Sequence, residues 1–292
     1  MGTLAVTEFT DPGCPWAYSA SPAIAVLQWR YRDQLSWRVV TIGLTEEPQR
    51  YIDAGYTPTR MTLGNMLFRG RYGMPFASAP RPRIAGTGRA CRAIVATRRL
   101  APGRERDVLR ALQFGWFTST LQLDEDEGIT RALEHVRGLE VPAVIAAIDA
   151  PETLAEYEDD KRLTRTAEGS ATHFQGKARQ TDGPVRYSAP SLVFEGEDGG
   201  RFEAGGFQPV EAYDVLIANL DRTLERHDPP GDPLEALRAF PGGLVTQELA
   251  AVMAHNNQPP DRDAAEAALV ELLGEGAVER IALGNDALWL AA

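Results

Sequence analysis

FTDPGCPWAYSASP, residues 9–22, is the segment from which the fold can be inferred. An apparent strand runs into an Asp-Pro-Gly turn, and Cys14 follows immediately before Pro15. Proline suits the first turn of a helix, because the N–H that it lacks would have no intrahelical partner there. We therefore expect Cys14 to lie between a strand and the N-terminus of a helix.

The flanking segments complete a strand–helix–strand unit. Residues 3–9 (TLAVTEF) predict a strand, and residues 35–44 (LSWRVVTIGL) predict a second, buried one. Between them, residues 15–33 repeat apolar side chains every three or four positions, which is the spacing of a helix with one apolar face. A helix that connects two strands indicates parallel pairing in an α/β sheet.

The middle of the chain predicts helices without strands. Helical periodicity extends from about residue 58 to 180. We expect helices near 86–100, 103–117, 127–137, 141–149 and 152–169. Strand patterns return at 190–196 and 201–204 around a Glu-Asp-Gly-Gly turn, and a helix follows at 209–226. This order predicts an α/β sheet that is opened to admit a large all-helical insertion.

The C-terminal part is predicted to be a separate small module. DPPGDP (228–233) has the composition of a linker. Beyond it, three helical segments and two strands around Gly-Asn-Asp resemble a winged helix, a fold that often reads DNA. From position 233 onward the chain has three arginines, no lysine and nine acidic residues, which would repel phosphates. We expect the module to pack against the chain or to bind a protein.

Composition narrows the classes of function. The 292-residue chain has a formal net charge of −11, which disfavours binding to nucleic acid or to an anionic membrane. Two cysteines cannot form a disulfide framework, and no run of about 18 apolar residues occurs, so a cytoplasmic protein without a membrane span is expected. The four histidines keep no ligand spacing with the cysteines, so no metal site is expected.

Nine arginines between residues 81 and 110 stand out in this acidic chain. A solvated helix face is one explanation for them. The other is a rim that attracts an anionic ligand towards a nearby site.

The position of Cys14 predicts a reactive thiol. Free N–H groups and the helix dipole stabilise a thiolate at a helix N-terminus, so we expect its pKa to lie below the ordinary value of about 8.5. A buried, inert cysteine is the alternative. Cys91 lies among apolar residues of a predicted helix. It either fills the core or serves as a distant resolving thiol for Cys14.

Three motifs together resemble the DsbA-type branch of the thioredoxin superfamily: Asp-Pro-x-Cys-Pro-Trp before a helix, Pro-Ser-Leu-Val-Phe in the returning strand, and Gly-Phe-Gln-Pro before the last helix. The most similar branch contains the cytoplasmic FrnE-like dithiol oxidoreductases, and kappa-class glutathione transferases and 2-hydroxychromene-2-carboxylate isomerases are related. The resemblance covers about residues 3–228. The expected domains are a thioredoxin-like domain (1–57 and 185–228), a helical insertion (58–184), a linker (229–233) and a winged-helix-like module (234–292).

The resemblance implies a role for each residue of the site. Cys14 would be the nucleophilic cysteine, and Pro190 would be a cis-proline beside it. The backbone of Ala189 would pair with an extended thiol-containing ligand, while Pro15 and Trp16 would shape the site.

Ala17 departs from the dithiol pattern, which has a second cysteine at this position. Without it, Cys14 can attack a disulfide and form a mixed disulfide, but no neighbouring thiol can release the product. Glutathione or another small thiol could resolve the intermediate, or Cys91 could do so after a movement. No cofactor is expected beyond such a thiol co-substrate.

The sequence therefore predicts a thiol–disulfide oxidoreductase that acts through one cysteine on a thiol- or disulfide-containing substrate. One alternative is a glutathione-dependent transferase or isomerase, in which the arginine-rich helices at 86–110 bind an anionic substrate. The other is a catalytically inactive module that recruits a protein partner, or a second copy of the chain, through residues 234–292.

Overall fold

The computed structural model describes residues 3–181 and 183–292. Its first elements are β1 (Leu4–Thr10), a short α1 (Pro15–Ser19), α2 (Ser21–Tyr31), a 3-10 turn (Arg32–Gln34) and β2 (Leu35–Thr41). Ala20 between the two helices keeps helical backbone angles, so the chain bends there without unwinding. β1 and β2 pair in parallel over their full lengths, which confirms the predicted strand–helix–strand unit.

The chain between β2 and the next strand is helical, as predicted. Its helices are α3 (Gln49–Asp53), α4 (Pro58–Tyr72), α5 (Gly88–Leu100), α6 (Glu105–Thr118), α7 (Asp126–Leu133), α8 (Val141–Ala147), α9 (Pro151–Thr164) and α10 (Ala171–Phe174). The boundaries of α4 follow from its caps: the Thr57 side chain accepts a hydrogen bond from the N–H of Arg60, and Gly73 ends the helix at a φ of 74°. Within the described residues, no helix combines the length and the apolar character that crossing a membrane requires.

The sheet is completed by β3 (Ser191–Glu195) and β4 (Arg201–Gly205), and α11 (Val210–Leu220) follows it. The strand order is β2-β1-β3-β4, with β3 antiparallel to both of its neighbours. This mixed sheet with a helical insertion between β2 and β3 is the α/β, thioredoxin-like fold that the sequence predicts.

Alternation along β1 buries both faces of the sheet. Leu4 and Val6 pack in one core cluster with Leu27 of α2 and Tyr213 of α11. Phe9 points to the opposite face and stacks on Tyr187 with ring centroids 4.3 Å apart. Successive side chains of a strand point to opposite faces, so a strand that is apolar on both faces must be covered on both. The central position of β1 holds the loop at its carboxyl end firmly in place.

The C-terminal module contains three helices and a small antiparallel sheet of order β5-β7-β6. Its elements are α12 (Pro233–Ala239), β5 (Leu244–Val245), α13 (Thr246–Met253), α14 (Arg262–Gly274), β6 (Val278–Leu283) and β7 (Asp286–Ala291). The three helices and the terminal hairpin lie where the sequence places them. Assignment to the winged-helix fold stays a prediction.

This module is packed tightly against the rest of the chain. Trp29 of α2 and Trp289 of β7 belong to the same apolar cluster. At the interface Glu248 is 1% exposed and accepts hydrogen bonds from Ser21 of α2 and Arg110 of α6. A buried carboxylate with charged and neutral donors on two other helices fixes the module against them.

Candidate functional site

The loop that carries Cys14 is held by a buried aspartate. One carboxylate oxygen of Asp11 accepts the N–H of Gly13 at 2.9 Å, and the other accepts the N–H of Leu44 at 2.8 Å. The backbone carbonyl of Asp11 accepts the N–H of Cys14 at 3.1 Å. A Cβ on Gly13 would lie 2.5 Å from the Thr87 side chain, so this position requires glycine. The Asp-Pro-Gly turn therefore places Cys14 with little freedom.

Cys14 faces the start of β3, although the two segments are far apart in sequence. Its thiol donates a hydrogen bond to the carbonyl oxygen of Ala189, with the sulfur 3.3 Å away. The peptide bond between Ala189 and Pro190 is cis. Pro15 and Trp16 line the same cleft as Cys14 and Ala189, and the side chain of Trp16 is 42% exposed there.

The prediction of a lowered pKa for Cys14 is wrong. Its side chain is 5% exposed, and burial raises the pKa of the Cys14 thiol to about 12, an effect to which the nearby Asp11 carboxylate adds. The N–H groups of Trp16 and Ala17 at the start of α1 act in the opposite direction but are outweighed. A helix of five residues contributes little beyond those N–H groups, and the loss of water around the sulfur dominates. Cys14 is therefore a protonated hydrogen-bond donor at neutral pH.

Ala17 and Cys91 both lie away from the cleft that Cys14 lines. Ala17 is buried and lines a second cavity of about 450 Å³ between α2, α6 and the C-terminal module. Cys91 is fully buried on α5, and its sulfur lies 3.5 Å from a carboxylate oxygen of Asp11. Burial raises the pKa of Cys91 well above its ordinary value. The structure thus brings Cys91 near the base of the Cys14 loop without making it part of the cleft.

The cleft has a volume of about 790 Å³, which is within the usual range for small-molecule sites. Its walls come from α4, the segments 77–84 and 177–189, and the end of α6. Trp16 meets three aromatic rings at centroid distances of 4.9–6.0 Å, those of Phe68, Tyr72 and Phe207. Sequence reasoning missed these three residues. The aromatic positions in α4 and the Gly-Phe-Gln-Pro motif were the available signals, but neither indicates which side chains share a cleft.

The arginines divide into two groups. Those at positions 89, 92, 98, 99, 104, 106 and 110 each form an ion pair with an acidic side chain. Of the two explanations given for the arginine cluster, the anion-attracting rim does not apply to the helices at 86–110, because these arginines pair with acidic side chains of the same chain. Arg81 and Arg83, which precede those helices, do line the cleft.

No group of three or more histidine, cysteine, aspartate or glutamate side chains that could hold a metal ion occurs among residues 3–181 and 183–292.

The fold is shared with several solved thiol–disulfide proteins. A proposed protein disulfide isomerase from Nitrosomonas europaea superposes with a TM-score of 0.56 at 16% identity, covering 74% of this chain and 97% of its own. The cytosolic disulfide reductase DsbM from Pseudomonas aeruginosa, also solved with glutathione (GSH), gives 0.53 at 17% identity, covering 74% of this chain and 98% of its own.

An oxidoreductase from Streptomyces coelicolor that is assigned to the DsbA type gives a TM-score of 0.54 at 18% identity, covering 74% of this chain and 89% of its own. No family model matches the sequence, and neither does any curated protein. The fold class is therefore that of the DsbA-like, thioredoxin-type proteins. About a quarter of this chain lies outside each of these superpositions.

Proposed function

We propose that this protein is a thiol–disulfide oxidoreductase that acts through Cys14 alone, in the manner of a FrnE-like protein that has lost its second cysteine. The observation that carries the proposal is the placement of the Cys14 sulfur, 3.3 Å from the Ala189 carbonyl and at the wall of a cleft of about 790 Å³. Among the described residues, Cys14 is the cysteine that lines this cleft, since Cys91 does not.

The reaction would be an exchange in two steps. The Cys14 thiol loses its proton, and the thiolate attacks one sulfur of a disulfide RS–SR, which forms Cys14–S–S–R and releases RS⁻ to take up a proton. A second thiolate R′S⁻ then attacks the sulfur of R, which forms R′S–SR and regenerates the Cys14 thiolate. The net change is RSSR + R′SH → R′SSR + RSH, and no external electron carrier is required.

A small thiol is the better candidate for R′SH, because no second cysteine is placed for the resolving step. Ala17 has no sulfur, and Cys91 lies on the buried face of α5, where it contacts Asp11. DsbM, a protein of the same fold, has been solved with glutathione. Glutathione is therefore the first compound to test as co-substrate here.

The residues around Cys14 would position the ligand. The backbone of Ala189 beside the cis Pro190 would pair with an extended ligand, in the place where its carbonyl now accepts the Cys14 proton. Trp16 would pack against the ligand through its exposed face, and Pro15 would keep the backbone of the loop fixed. Ligand binding that displaces the hydrogen bond to Ala189 would also free the thiol to lose its proton.

Intact mass spectrometry after incubation with oxidised glutathione at pH 9 tests the proposal. The Cys91→Ser variant should gain one glutathionyl adduct that reduced glutathione removes. The Cys14→Ser variant should gain no adduct within the time in which Cys91→Ser is modified. Equal modification of both variants, or no adduct on Cys91→Ser, would contradict the proposal. Circular dichroism of both variants establishes that they are folded.

The protonated state of Cys14 favours a second candidate, a glutathione-dependent transferase or a binding protein in which Cys14 holds a thiol ligand by hydrogen bonding. The raised pKa of about 12, caused by burial, supports it because so little of the Cys14 thiol is ionised at neutral pH that disulfide exchange would be slow. Turnover of an electrophile with glutathione that survives Cys14→Ala would favour this candidate over disulfide exchange.

We further propose three domains: a thioredoxin-like domain at 1–57 and 185–228, a helical insertion at 58–184, and a C-terminal module at 234–292 that is winged-helix-like. The burial of Glu248 between α2 and α6 supports a packing role for this module. Recruitment of a protein partner or a second copy would use its remaining surface.

A further inference from the structure

Among the described residues, every charged side chain that lines the cleft around Cys14 is basic. Arg60 and Arg71 come from α4, Arg81 from the segment that precedes α5, and Lys177 and Arg179 from the segment that precedes β3. None of the lining residues in the part of the chain that the structure describes is acidic. This concentration of positive charge occurs in a chain with a net charge of −11, so it opposes the average field of the protein.

These five cations lack acidic partners within the described residues, unlike the arginines of α5 and α6. Arg60 and Arg71 lie over the rings of Tyr56 and Tyr72, at 5.4 and 5.3 Å from the ring centroids. Arg83, a neighbour at the edge of the cleft, differs because it pairs with Asp124 and Glu125. Cations without acidic partners that line one open cleft leave an excess of positive potential there, although solvent screens the exposed ones.

Arg81 is the most buried of the five. Its guanidinium carbon lies 4.3 Å from the ring centroid of Trp116, and its Nε is buried with no hydrogen-bond partner among the described residues. Burial lowers the pKa of Arg81 to about 10, and Asp124 opposes that effect only from a distance. Arg81 is partly exposed at the cleft, and a guanidinium that stacks on an aromatic ring is well suited to pair with an anion beside that ring.

Aromatic rings form a second prominent part of the cleft surface. Trp16 presents an exposed face, with Phe68, Tyr72 and Phe207 packed around its edges. A volume of about 790 Å³ accommodates a ring system together with an acid group.

We propose that the cleft binds a small organic anion that combines an acid group with an aromatic or apolar body, and that Arg81 anchors the acid group. The inference deepens the proposed function, because it names the class of ligand that would meet Cys14. It does not require that Cys14 react.

A matched pair of fluorescent probes tests the charge requirement. 1-Anilinonaphthalene-8-sulfonate carries an acid group on an aromatic body, and N-phenyl-1-naphthylamine is the same body without the acid. The full chain should bind the sulfonate at one site with a Kd at least about tenfold lower than for the neutral probe. Equal affinities would overturn the proposal, because the aromatic walls alone would then account for binding.

Substitutions locate the anchor. Arg81→Gln keeps a hydrogen-bond donor but removes the charge, and it should raise the Kd of the sulfonate about tenfold while leaving the Kd of the neutral probe unchanged. Arg81→Lys should give a smaller loss. Arg69→Gln is the control, because it removes the same charge from α4 at a position that does not line the cleft. If Arg69→Gln raised the Kd of the sulfonate as much as Arg81→Gln does, Arg81 would not be the anchor of the acid group.

Lys177→Gln covers the case in which Arg81→Gln fails to fold, since it removes a second unpaired cation of the cleft. It should also raise the Kd of the sulfonate selectively, and an unchanged Kd would count against a cationic cleft.

The outcome is separable from that of the thiol proposal. Cys14→Ser should retain selective sulfonate binding while losing adduct formation with oxidised glutathione. Selective anion binding without any adduct on the Cys91→Ser chain would refute the exchange function and leave the anion site standing. The opposite result would be equal rates of adduct formation with oxidised glutathione and with the neutral bis(2-hydroxyethyl) disulfide, and equal affinities for the two probes. It would refute the anion site and leave the exchange function standing.

Discussion

The rate at which Cys14 is alkylated should continue to rise at pH values where the rate of an ordinary cysteine has levelled off. Because burial raises the pKa of Cys14 to about 12, its thiolate fraction at pH 7 is about 10⁻⁵, against about 3% for a free cysteine of pKa about 8.5. The ratio of thiolate populations is therefore about 3,000.

Intrinsic nucleophilicity recovers part of this difference. A thiolate of higher pKa is more reactive, with a Brønsted coefficient of about 0.4–0.5, so a difference of about 3.5 pKa units returns a factor of about 40. The net expectation at pH 7 is a rate roughly 100-fold below that of a free cysteine peptide. The rate should rise about tenfold per pH unit from pH 7 to 9.5 without levelling off.

Iodoacetamide labelling of the Cys91→Ser variant, followed by intact mass, measures this rate, and circular dichroism establishes that the fold persists at each pH. Cys14→Ser reports any contribution of Cys91, and a free cysteine peptide is the reference. A rate that levels off below about pH 8.5, or one that equals the peptide rate at pH 7, would refute the assignment of Cys14 as a buried, protonated donor.

Three further predictions concern stability. Glu248→Ala should cost about 3 kcal/mol in urea unfolding, because it leaves Arg110 in a largely buried interface without its carboxylate. Gly128→Ala should cost about 2 kcal/mol or more, since its Cβ would lie 1.9 Å from the carbonyl oxygen of Gln122 and the backbone must shift. Burial alone would raise the pKa of Glu203, but hydrogen bonds outweigh it and lower the pKa. Its stabilisation is therefore present above about pH 4.3 and lost on acidification, so Glu203→Gln should make the unfolding free energy fall less steeply with acid.

Controls of the same chemistry sharpen these tests. Glu266→Ala removes a more exposed ion pair and should cost at most about 1 kcal/mol. Gly70→Ala adds a Cβ inside α4 that would meet no atom within 4 Å beyond the local helix backbone, so stability should be unchanged or raised. Losses in the controls as large as in the test variants would contradict the assigned contacts.

The fold was predictable because its signals are local. A strand, a Pro-Gly turn and a helix-initiating Pro15 follow one another within residues 3–33, and the apolar pattern of β1 and β2 sets their pairing. The Cys14 loop and its opposition to Ala189 followed from the resemblance to known motifs. The positions of Cys14 and Ala189 in the sequence do not by themselves indicate that the two residues are in contact.

The electrostatics of the site were not predictable in the same way. A helix N-terminus suggests a low thiol pKa, but the result depends on how much water reaches the sulfur, and distant segments that cover Cys14 decide this. The arginines pose the same difficulty. Arg89 and Arg81 lie close together in sequence, yet Arg89 pairs with Asp126 of α7 while Arg81 stacks on Trp116 in the cleft.

The C-terminal module supports a segment that leads into one wall of the cleft, although none of the described lining residues belongs to the module. At the tip of its hairpin, Asn285 accepts the N–H of Phe76 at 2.9 Å, and Gly284 lies so close that a Cβ there would be 2.8 Å from the carbonyl carbon of Phe76. The next residue, Ala77, lines the cleft and donates to the carbonyl of Phe117 at 2.7 Å. The backbone that leads to the proposed anion anchor is thus held by the module on one side and by α6 on the other. An appended module that packs in this way shapes the ligand site, whatever else its outer surface binds.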